Sequence, residues 1–416
     1  MSWDAYRPFL GQGEMRAIER LAIPLKGRSF IHVNATAVGG GVAELLHSII
    51  PLIKELGVDV RWEVIEGNAP FYDFTKNLHN SLQGKGEPIT KEMWEIYEEV
   101  NEQNARTLDL EGDCVVIHDP QPARLIDVKK GGTWIWRCHI DVSTPDPVVW
   151  YFLKDIVERY DASIFSVSSF TRKLSIPQFL IPPSIDPTTE KNMELPQEYI
   201  EEVLDRFEIP VEKGSLDRFD IPRKKPILLQ VSRFDPWKDP VGVIEAYRMV
   251  KRYRDCQLIL AGGTADDDPE GEVVLERVKE AASGDPDIHI LLLPPSSHKE
   301  INALQRAADI VIQKSTREGF GLVVAEALWK EKPVIASAVG GIPLQVIDGV
   351  TGCLVHSIEG TAYKIRQLLH NPDWAQRMGV AGKEHIRQNF LITRHIRDYL
   401  ALWVAMENRE KKAIYV

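Results

Sequence analysis

Residues 309–329, DIVIQKSTREGFGLVVAEALW, place a run of β-branched residues directly before a Gly-x-Gly turn and an apolar helical stretch. This order predicts a buried strand, a tight turn and the start of a helix. Glycines let a ligand approach the backbone, and the free N–H groups of a helix start attract anions, so a diphosphate is a natural occupant. The residues predicted to face that anion are Gly319, Phe320, Gly321, Leu322 and Val323.

Two glutamates flank this turn. Glu318 precedes it, and Glu326 follows about one turn into the predicted helix. One carboxylate can accept hydrogen bonds from a sugar on one side of the phosphates, and the other from a ribose on the far side. Judged alone, the stretch is equally compatible with a glycine turn beside two solvated glutamates.

The strand-then-helix pattern continues along the chain in both directions. Short β-rich runs alternate with amphipathic helical stretches, which predicts an α/β protein with parallel sheets. The predicted strands are 29–36, 58–65, 114–119, 132–140, 162–168, 178–184, 226–234, 256–263, 288–295, 309–315, 332–338 and 352–356. The polar, proline-bearing segment 185–225 shows no strand pattern and is interpreted as a connector. We therefore expect two doubly wound Rossmann-like domains, 1–190 and 191–391, facing each other across a cleft.

Length and charge exclude several classes of protein. The 416 residues suffice for two domains of roughly 100–200 residues each. Lys and Arg number 50 against 61 Asp and Glu, a net charge of −11, which disfavours a dedicated nucleic-acid binder or a protein held at an anionic membrane. Four scattered cysteines predict neither a disulfide framework nor a metal site. Without a signal peptide or an apolar span, we expect a soluble cytoplasmic protein.

An acidic protein needs local cations to hold an anionic substrate. Arg233 and Lys238 lie five residues apart at the end of the predicted strand 226–234 and just after it. Arg can bind two phosphate oxygens at once and Lys adds a compact charge, so the pair suits a diphosphate leaving group. Two ordinary surface charges on a solvated turn are the alternative.

A glycine loop follows the first predicted strand. Gly39, Gly40 and Gly41 do not meet the G-x-G-x-x-G spacing of a dinucleotide site, because Ala43 and Glu44 stand where the third glycine would fall. The loop is therefore interpreted as one that lets a sugar and its phosphate lie close to the backbone.

The ends of two further predicted strands carry aromatic and polar side chains. Rings can stack on the C–H face of a sugar while polar groups contact its hydroxyls, so these strand ends suit an acceptor sugar. The acceptor-site candidates are His118, Gln121, Trp136, Arg137 and Asp141, and His139 lies among them. A core position is the commoner fate of a lone histidine and remains the alternative.

Together these motifs resemble the retaining glycosyltransferases of family 4. The resemblance rests on Glu318-x7-Glu326, the Arg233 and Lys238 pair, the glycine loop, and the segment Gly340-Gly341-Ile342-Pro343 followed by Asp348-Gly349-x-Thr351-Gly352. It covers nearly the whole chain and implies the glycosyltransferase B fold, in which a final helix, here 392–416, returns to the N-terminal domain. Gln345 departs from the Glu that many members carry, which concerns the nucleotide or phosphate contacts.

Within that family, the glycine loop, His118-Asp119-Pro120-Gln121 and Trp136–Ile140 most resemble the trehalose glycosyltransferring synthases, especially archaeal ones, and the related trehalose phosphorylases. The resemblance implies a retaining hexosyltransferase that transfers glucose from a nucleoside diphosphate glucose to free glucose and forms α,α-trehalose reversibly.

The same resemblance implies a role for each candidate residue. Arg233 and Lys238 would hold the diphosphate, and Glu326 the ribose. Glu318, Gly40 and Gly41 would contact the donor. His139 would lie near its reacting carbon. No metal and no cofactor beyond the sugar nucleotide is implied.

Several alternatives stay open at the level of sequence. A trehalose phosphorylase or another family 4 hexosyltransferase would use the same cations. A nicotinamide-dependent oxidoreductase is disfavoured by the broken glycine fingerprint, and a non-catalytic sugar-nucleotide binding protein is excluded only by activity. The preferred nucleobase is open, and a homodimer is compatible with the sequence.

Overall fold

A computed structural model of the chain describes residues 2–38, 40–211, 225–263 and 269–408. The chain forms two units, each built around its own parallel sheet. One unit contains the chain up to Ser184 together with the last described helix, and the other runs from Ile185 to Leu391. Gly39 of the predicted glycine loop and residues 212–224 of the predicted connector lie outside the described residues.

Each of the twelve predicted strands coincides with an observed one, so the predicted α/β class is confirmed. The first unit contains β1 (Ser29–Asn34), β2 (Asp59–Val64), β3 (Cys114–His118), β4 (Thr133–Cys138), β5 (Ala162–Phe165) and β6 (Gln178–Leu180). The second contains β7 (Ile227–Val231), β8 (Gln257–Gly262), β9 (Ile288–Leu292), β10 (Ile310–Gln313), β11 (Val334–Ser337) and β12 (Cys353–Val355).

Fourteen α-helices lie in the described ranges and connect or flank the strands. They are α1 (Gln12–Ala22), α2 (Gly40–Glu55), α3 (Ala69–Leu82), α4 (Lys91–Thr107), α5 (Pro147–Val157), α6 (Gln197–Arg206), α7 (Pro240–Lys251), α8 (Pro269–Ala282), α9 (His298–Ala307), α10 (Leu322–Trp329), α11 (Ile342–Gln345), α12 (Ile358–His370), α13 (Pro372–Asn389) and α14 (Ile392–Glu407). None of these helices combines the length and apolar character that crossing a bilayer requires.

The first sheet has the order β2-β1-β3-β4-β5-β6, with every pair parallel. Its central strands are buried on both faces because successive side chains alternate between two apolar layers. Ile31 and Val115 face one layer, whereas Phe30 and Val116 face the other. Helix α14 completes the second layer, where the ring of Trp403 stacks on Phe30 with centroids 4.1 Å apart.

The second sheet has the order β12-β11-β10-β7-β8-β9, again all parallel. Its strand order reverses between β7 and β10, and that of the first sheet reverses between β1 and β3. Crossovers leave in opposite directions at such a switch point, which opens a crevice at the carboxyl ends of the two strands. These two strand pairs are therefore where each unit is expected to hold its ligand.

The segment that follows β6 is tied to the second unit. The amide of Ile185 donates to the carbonyl of Phe390 at 2.8 Å, and the side chain of Asn302 donates to the carbonyls of Glu190 and Met193 at 2.9 and 2.8 Å. Residues 185–190 belong to the second unit, whereas the sequence predicts them in the first domain. Helix α6 occupies part of the predicted connector.

Candidate active site

In the second unit, the switch point joins a cation to a carboxylate. Lys238 ends a short 3-10 turn after β7, and Glu318 follows β10, so the two parallel strands bring them together. The Lys238 Nζ lies 2.6 Å from the Glu318 Oε2. The turn is set locally, because the Asp235 carboxylate caps it through the amide of Trp237 at 2.8 Å, and Gln230 donates to the carbonyl of Lys238 at 2.8 Å.

The Glu318 carboxylate is fixed by three donors that converge on its Oε2 atom. Besides Lys238, the amide nitrogen of Gln313 lies 3.3 Å away and the hydroxyl of Ser315 3.1 Å away. Gln313 also donates to the Ser315 hydroxyl at 3.0 Å. A carboxylate held this way keeps one orientation, which a group that must contact a substrate sugar requires.

The other predicted cation, Arg233, has a different environment. Its side chain is 60% exposed, and its guanidinium lies 3.3 Å from the Asp235 carboxylate. Sequence reasoning missed a third pair at this strand end, in which Lys314 after β10 contacts Asp239, the left-handed residue that caps α7. Each of these cations thus has a carboxylate partner that an incoming phosphate would have to share or replace.

The predicted Gly-x-Gly turn and the helix α10 are present, and a second glycine segment packs closely against the turn. Gly321 adopts a left-handed conformation (φ +80°) and caps α10, so the first N–H groups of that helix are not used within it. A second glycine turn lies behind the first. A Cβ on Gly340 (φ +54°) would stand 1.7 Å from the carbonyl oxygen of Glu318, so a side chain cannot be accommodated there.

Gln345, which departs from the pattern of the family, acts on the same turn. Its side chain is fully buried and donates to the carbonyl of Phe320 at 2.5 Å and to that of Gly341 at 3.4 Å. The Phe320 ring is also buried and packs against Phe390, so this residue can offer a ligand only its backbone. Gln345 thus stabilises the turn and the second glycine segment through a hydrogen bond to a backbone carbonyl of each.

Glu326 lies on α10 and is 5% exposed. The Gln305 side chain donates to its Oε2 at 3.3 Å, and the Lys191 ammonium lies 4.0 Å from its Oε1. Lys330, one turn further along, donates to the Glu326 carbonyl and to the Asn192 side chain, both at 3.1 Å. Lys191, Asn192 and Gln305 come from segments distant in sequence, so no local pattern around Glu326 indicated these contacts.

In the first unit, three histidines form a hydrogen-bonded chain across the switch point. His32 on β1 contacts His118 at the end of β3 (Nδ1 to Nε2, 2.9 Å), and His118 contacts His139 after β4 (Nδ1 to Nε2, 2.9 Å). His32 and His118 are buried, and His139 is partly exposed. The Asp119 carboxylate accepts the backbone N–H of His139 at 2.7 Å, and Asp119 itself is left-handed (φ +64°).

Burial and a neighbouring cation keep these imidazoles neutral. Burial, with a further contribution from Arg137, lowers the pKa of His32 to about 3. The pKa values of His118 and His139 fall well below the usual range, chiefly through burial again. Burial also raises the pKa of Asp119 to about 7. Arg137 is fully buried and pairs in register with His118 on the adjacent strand.

This burial corrects part of the acceptor-site prediction. Trp136 is fully enclosed, with its indole N–H bonded to the Asp119 carbonyl at 3.0 Å, so its ring offers no face to a sugar. Arg137 donates instead to the Ile181 carbonyl at 2.6 Å, and His118 is enclosed by its two histidine neighbours. An apolar strand end places these side chains in the core, a position that the sequence had suggested, as an alternative, only for the histidines.

The remaining candidates of the first unit lie at strand or helix ends. Asp141 is largely buried and accepts the Ser143 amide at 2.9 Å, while Gln121 is partly buried. Gly40 (φ +80°) begins α2, and both Gly40 and Gly41 are exposed. The start of this helix is therefore free of side-chain cover at its first two residues.

Two doubly wound parallel sheets with polar residues at their switch points form the fold of the B-type glycosyltransferases, which solved structures of similar fold share. The sucrose-phosphate synthase from Thermosynechococcus elongatus has this fold, with a TM-score of 0.67 at 18% identity over 92% of this chain and 100% of that one. The α,α-trehalose-phosphate synthase (UDP-forming) from Burkholderia vietnamiensis gives a TM-score of 0.71 at 14% identity over 93% and 99% of the two chains.

Sequence relatives narrow this class. The family model "Trehalose synthase, N-terminal domain" matches residues 32–172, and "Glycosyl transferases group 1" matches 215–385. The trehalose synthase of Thermococcus litoralis is 47% identical over 96% of both chains, and that of Rubrobacter xylanophilus is 44% identical over 96% of both. The chain belongs to the trehalose synthase family and is a hexosyltransferase. The resemblance to the family 4 glycosyltransferases is thereby confirmed.

Trehalose phosphorylases are more distant relatives. That of Pleurotus pulmonarius is 31% identical over 84% of this chain, and the match covers 53% of that longer protein.

The buried Lys330 makes stability depend on pH. Burial lowers the pKa of Lys330 from 10.5 to about 7 in the folded protein. Between these values the unfolded chain binds more protons than the folded one, so this group stabilises the folded state increasingly as pH rises from about 7 to about 10.5. We expect the wild type to gain stability relative to Lys330→Met across that window, measured as urea-denaturation midpoints.

Lys279→Met on α8, where the lysine side chain is 49% exposed, serves as the control and should keep a constant offset from the wild type. A constant offset for Lys330→Met as well would contradict the lowered pKa.

Proposed function

We propose that this hexosyltransferase moves glucose from a nucleoside diphosphate glucose to free glucose, with retention, and so forms α,α-trehalose in a reversible reaction. The observation that carries the proposal is the switch point of the second unit, where Lys238 and Glu318 meet 2.6 Å apart beside the turn that opens α10. That arrangement offers a cation and helix N–H groups to a diphosphate, and a fixed carboxylate to a sugar.

The leaving diphosphate is proposed to bind Arg233, Lys238 and the N–H groups of residues 319–323. The exposed Arg233 can turn from Asp235 to a phosphate, because a surface ion pair of this kind contributes little stability. Lys238 need not leave Glu318, since an ammonium carries three donors. Both cations would then stabilise the charge that develops as the bond from the sugar to the phosphate breaks.

The nucleoside is proposed to bind at Glu326, whose carboxylate would accept hydrogen bonds from the two ribose hydroxyls. Gln305 and Lys191 already hold that carboxylate from one side, which favours a fixed acceptor over a solvated charge. The nucleobase is left open as adenine, uracil or guanine.

The transferred glucose is proposed to contact Glu318 and the start of α2 at Gly40 and Gly41, with His139 near its reacting carbon. The acceptor hydroxyl attacks the face that the diphosphate leaves. The new C–O bond forms as the old one breaks, and a leaving-phosphate oxygen takes the hydroxyl proton. Neither glutamate serves as a covalent nucleophile, in contrast to a retaining glycosidase. The proposed reaction uses no metal and no cofactor, and the partners are the sugar nucleotide and glucose or trehalose.

A trehalose phosphorylase is the second candidate, since inorganic phosphate would suit the same cations. Glu326 favours the nucleotide, because ribose offers it two hydroxyls and inorganic phosphate offers none. Gln305 and Lys191 leave this buried carboxylate with lone pairs for further hydrogen bonds, and the ribose hydroxyls would use them.

Reversal of the reaction tests the proposal directly. Trehalose is incubated with ADP, UDP or GDP in turn, and separately with inorganic phosphate, and the products are followed by mass spectrometry and phosphorus NMR. We expect glucose and a nucleoside diphosphate glucose from at least one nucleotide, and little glucose 1-phosphate. Rapid formation of glucose 1-phosphate without any sugar nucleotide would make the protein a phosphorylase.

Removing either cation should slow transfer. Arg233→Ala and Lys238→Ala are each expected to lower kcat/KM by roughly 10²–10³, the effect of losing one preorganised charged contact. Circular dichroism should show the wild-type fold. The exposed Lys279→Ala, a lysine remote from these strand ends in sequence, is the matched control and should keep wild-type kinetics. Near-normal turnover of both site variants would remove these cations from the mechanism.

Substitutions of Glu326 and Glu318 should affect different steps, donor binding in one case and kcat in the other. The nucleoside does not change during the reaction, so Glu326→Ala should weaken donor binding uniformly. Glu318 faces the sugar that gains charge, so Glu318→Ala should mainly lower kcat. Calorimetry of the nucleoside diphosphate and steady-state kinetics measure the two effects, with the exposed Glu276→Ala as control. Unchanged nucleotide affinity in Glu326→Ala would refute its assignment.

A further inference from the structure

The chain of histidines in the first unit begins in the core and ends at the surface of the switch point. His32 is fully buried, His118 is 1% exposed and His139 is partly exposed. Both N···N distances are 2.9 Å, and the rings of His118 and His139 lie nearly parallel, at 15°. His139 is proposed to lie near the reacting carbon, whereas His32 and His118 are too deeply buried to contact a sugar.

Two hydrogen bonds between imidazoles couple the tautomers of all three rings. A neutral imidazole carries one N–H, so each N···N contact needs one ring to donate and the other to accept. Once the tautomer of one ring is set, those of the other two follow. His139 therefore cannot exchange its proton between its two nitrogens without a matching change in His118 and His32.

The surroundings disfavour a charge anywhere on this chain. The fully buried Arg137 pairs in register with His118 and is bonded through one nitrogen to a backbone carbonyl. A second buried arginine, Arg394 on α14, pairs with Asp398 at 3.0 Å. The groups that act directly on the three rings are Arg137, His395, Asp119 and Tyr399. Cys138, Asp141, Arg394 and Asp398 act on those groups in turn.

At its inner end, the hydrogen-bonded chain of histidines stops at His32 in the core. The Nε2 atom of His32 has no hydrogen-bond partner among the described residues. The rings of Tyr399 and Trp403 lie beside the His32 ring, at centroid-to-centroid distances of 5.4 and 5.9 Å. A proton that entered at His139 would find no acceptor beyond His32. The chain is therefore built to fix the state of His139 and not to carry protons through the unit.

We propose that His118, itself held by His32, is a positioning residue that presents His139 to the donor sugar as a neutral imidazole in one tautomer and one orientation. This inference rests on the proposed function, in which His139 lies near the reacting carbon. That carbon gains positive charge as the diphosphate leaves, and an imidazolium there would oppose it. A neutral ring with a fixed dipole avoids this repulsion and needs no reorganisation during the reaction.

Two substitutions of His118 separate positioning from packing. His118→Leu removes both hydrogen bonds, whereas His118→Asn keeps a polar group where the ring nitrogen now meets His139. We expect His118→Leu to lower kcat about 10²-fold with little change in the KM for the donor, the scale of a misplaced reacting-site group. His118→Asn should recover much of that loss.

His395→Leu is the matched control. His395 is equally buried and its ring lies 5.1 Å from that of Tyr399, but neither of its ring nitrogens has a partner among the described residues. This variant alters the same core while leaving the chain intact, so kcat should stay at the wild-type value. An equal loss in His395→Leu would reduce the role of His118 to packing and overturn the proposal.

Nitrogen-15 NMR of histidine-labelled protein gives a readout that does not depend on activity. In the wild type we expect His139 to show one protonated and one bare ring nitrogen, unchanged from pH 8 to pH 5. In His118→Leu we expect averaged tautomer signals for His139. Averaged signals or titration near pH 6.5 in the wild type would overturn the proposal, as would unchanged signals and kcat in His118→Leu.

These outcomes are distinguishable from failure of the proposed function. If the wild type formed no sugar nucleotide from trehalose, the reversal experiment would fail while the NMR signature of His139 stayed as expected. If transfer proceeded and His118→Leu matched the wild type in both kcat and NMR, only the positioning role would fall.

Discussion

A parallel strand can be followed only by a crossover that returns to the other end of the sheet, and each strand pair in both sheets of this chain is parallel. The segments that leave the carboxyl ends therefore collect along one edge of each sheet. At the two switch points they cannot cover the edge, so polar residues from separate crossovers meet there. The contact between Lys238 and Glu318 arises in this way, and His32 and His118 meet across the other switch point. Neither pair is close in sequence, and strand pairing alone brings each together.

The two switch points differ in charge: the second unit carries ion pairs, and the first carries neutral imidazoles. In the second unit, three cations each lie beside a carboxylate, so an anion could share these cations although the protein as a whole is acidic. In the first unit, burial beside Arg137 keeps the imidazoles neutral, which suits a sugar carbon that becomes positive. In the proposed reaction, the ion pairs would face the negative diphosphate and the neutral imidazoles the sugar carbon that becomes positive.

Motifs with a local physical cause were predictable from the sequence. The twelve strands follow from β-rich runs between helical stretches, and the Gly319-Phe320-Gly321 turn follows from glycines placed between a strand and a helix. The family was identifiable from the same motifs, and its known members are similar over nearly the whole chain. The roles of the individual site residues remain proposals, because sequence spacing shows which groups share an edge but not what they bind.

Burial and partner choice were decided only by the tertiary structure. Trp136 and Arg137 looked available at a strand end, yet Trp136 packs into one apolar layer of the first sheet and Arg137 is fully buried beside Tyr399 of α14. His32 and His118, which are 86 residues apart, meet because β1 and β3 are adjacent. Asn192 and Lys330 are 138 residues apart and meet because the segment after β6 packs beside the end of α10. A local pattern sets periodicity and turn chemistry through neighbouring residues. Hydrogen bonds between distant segments depend instead on strand order and helix packing, which no single stretch of the sequence encodes.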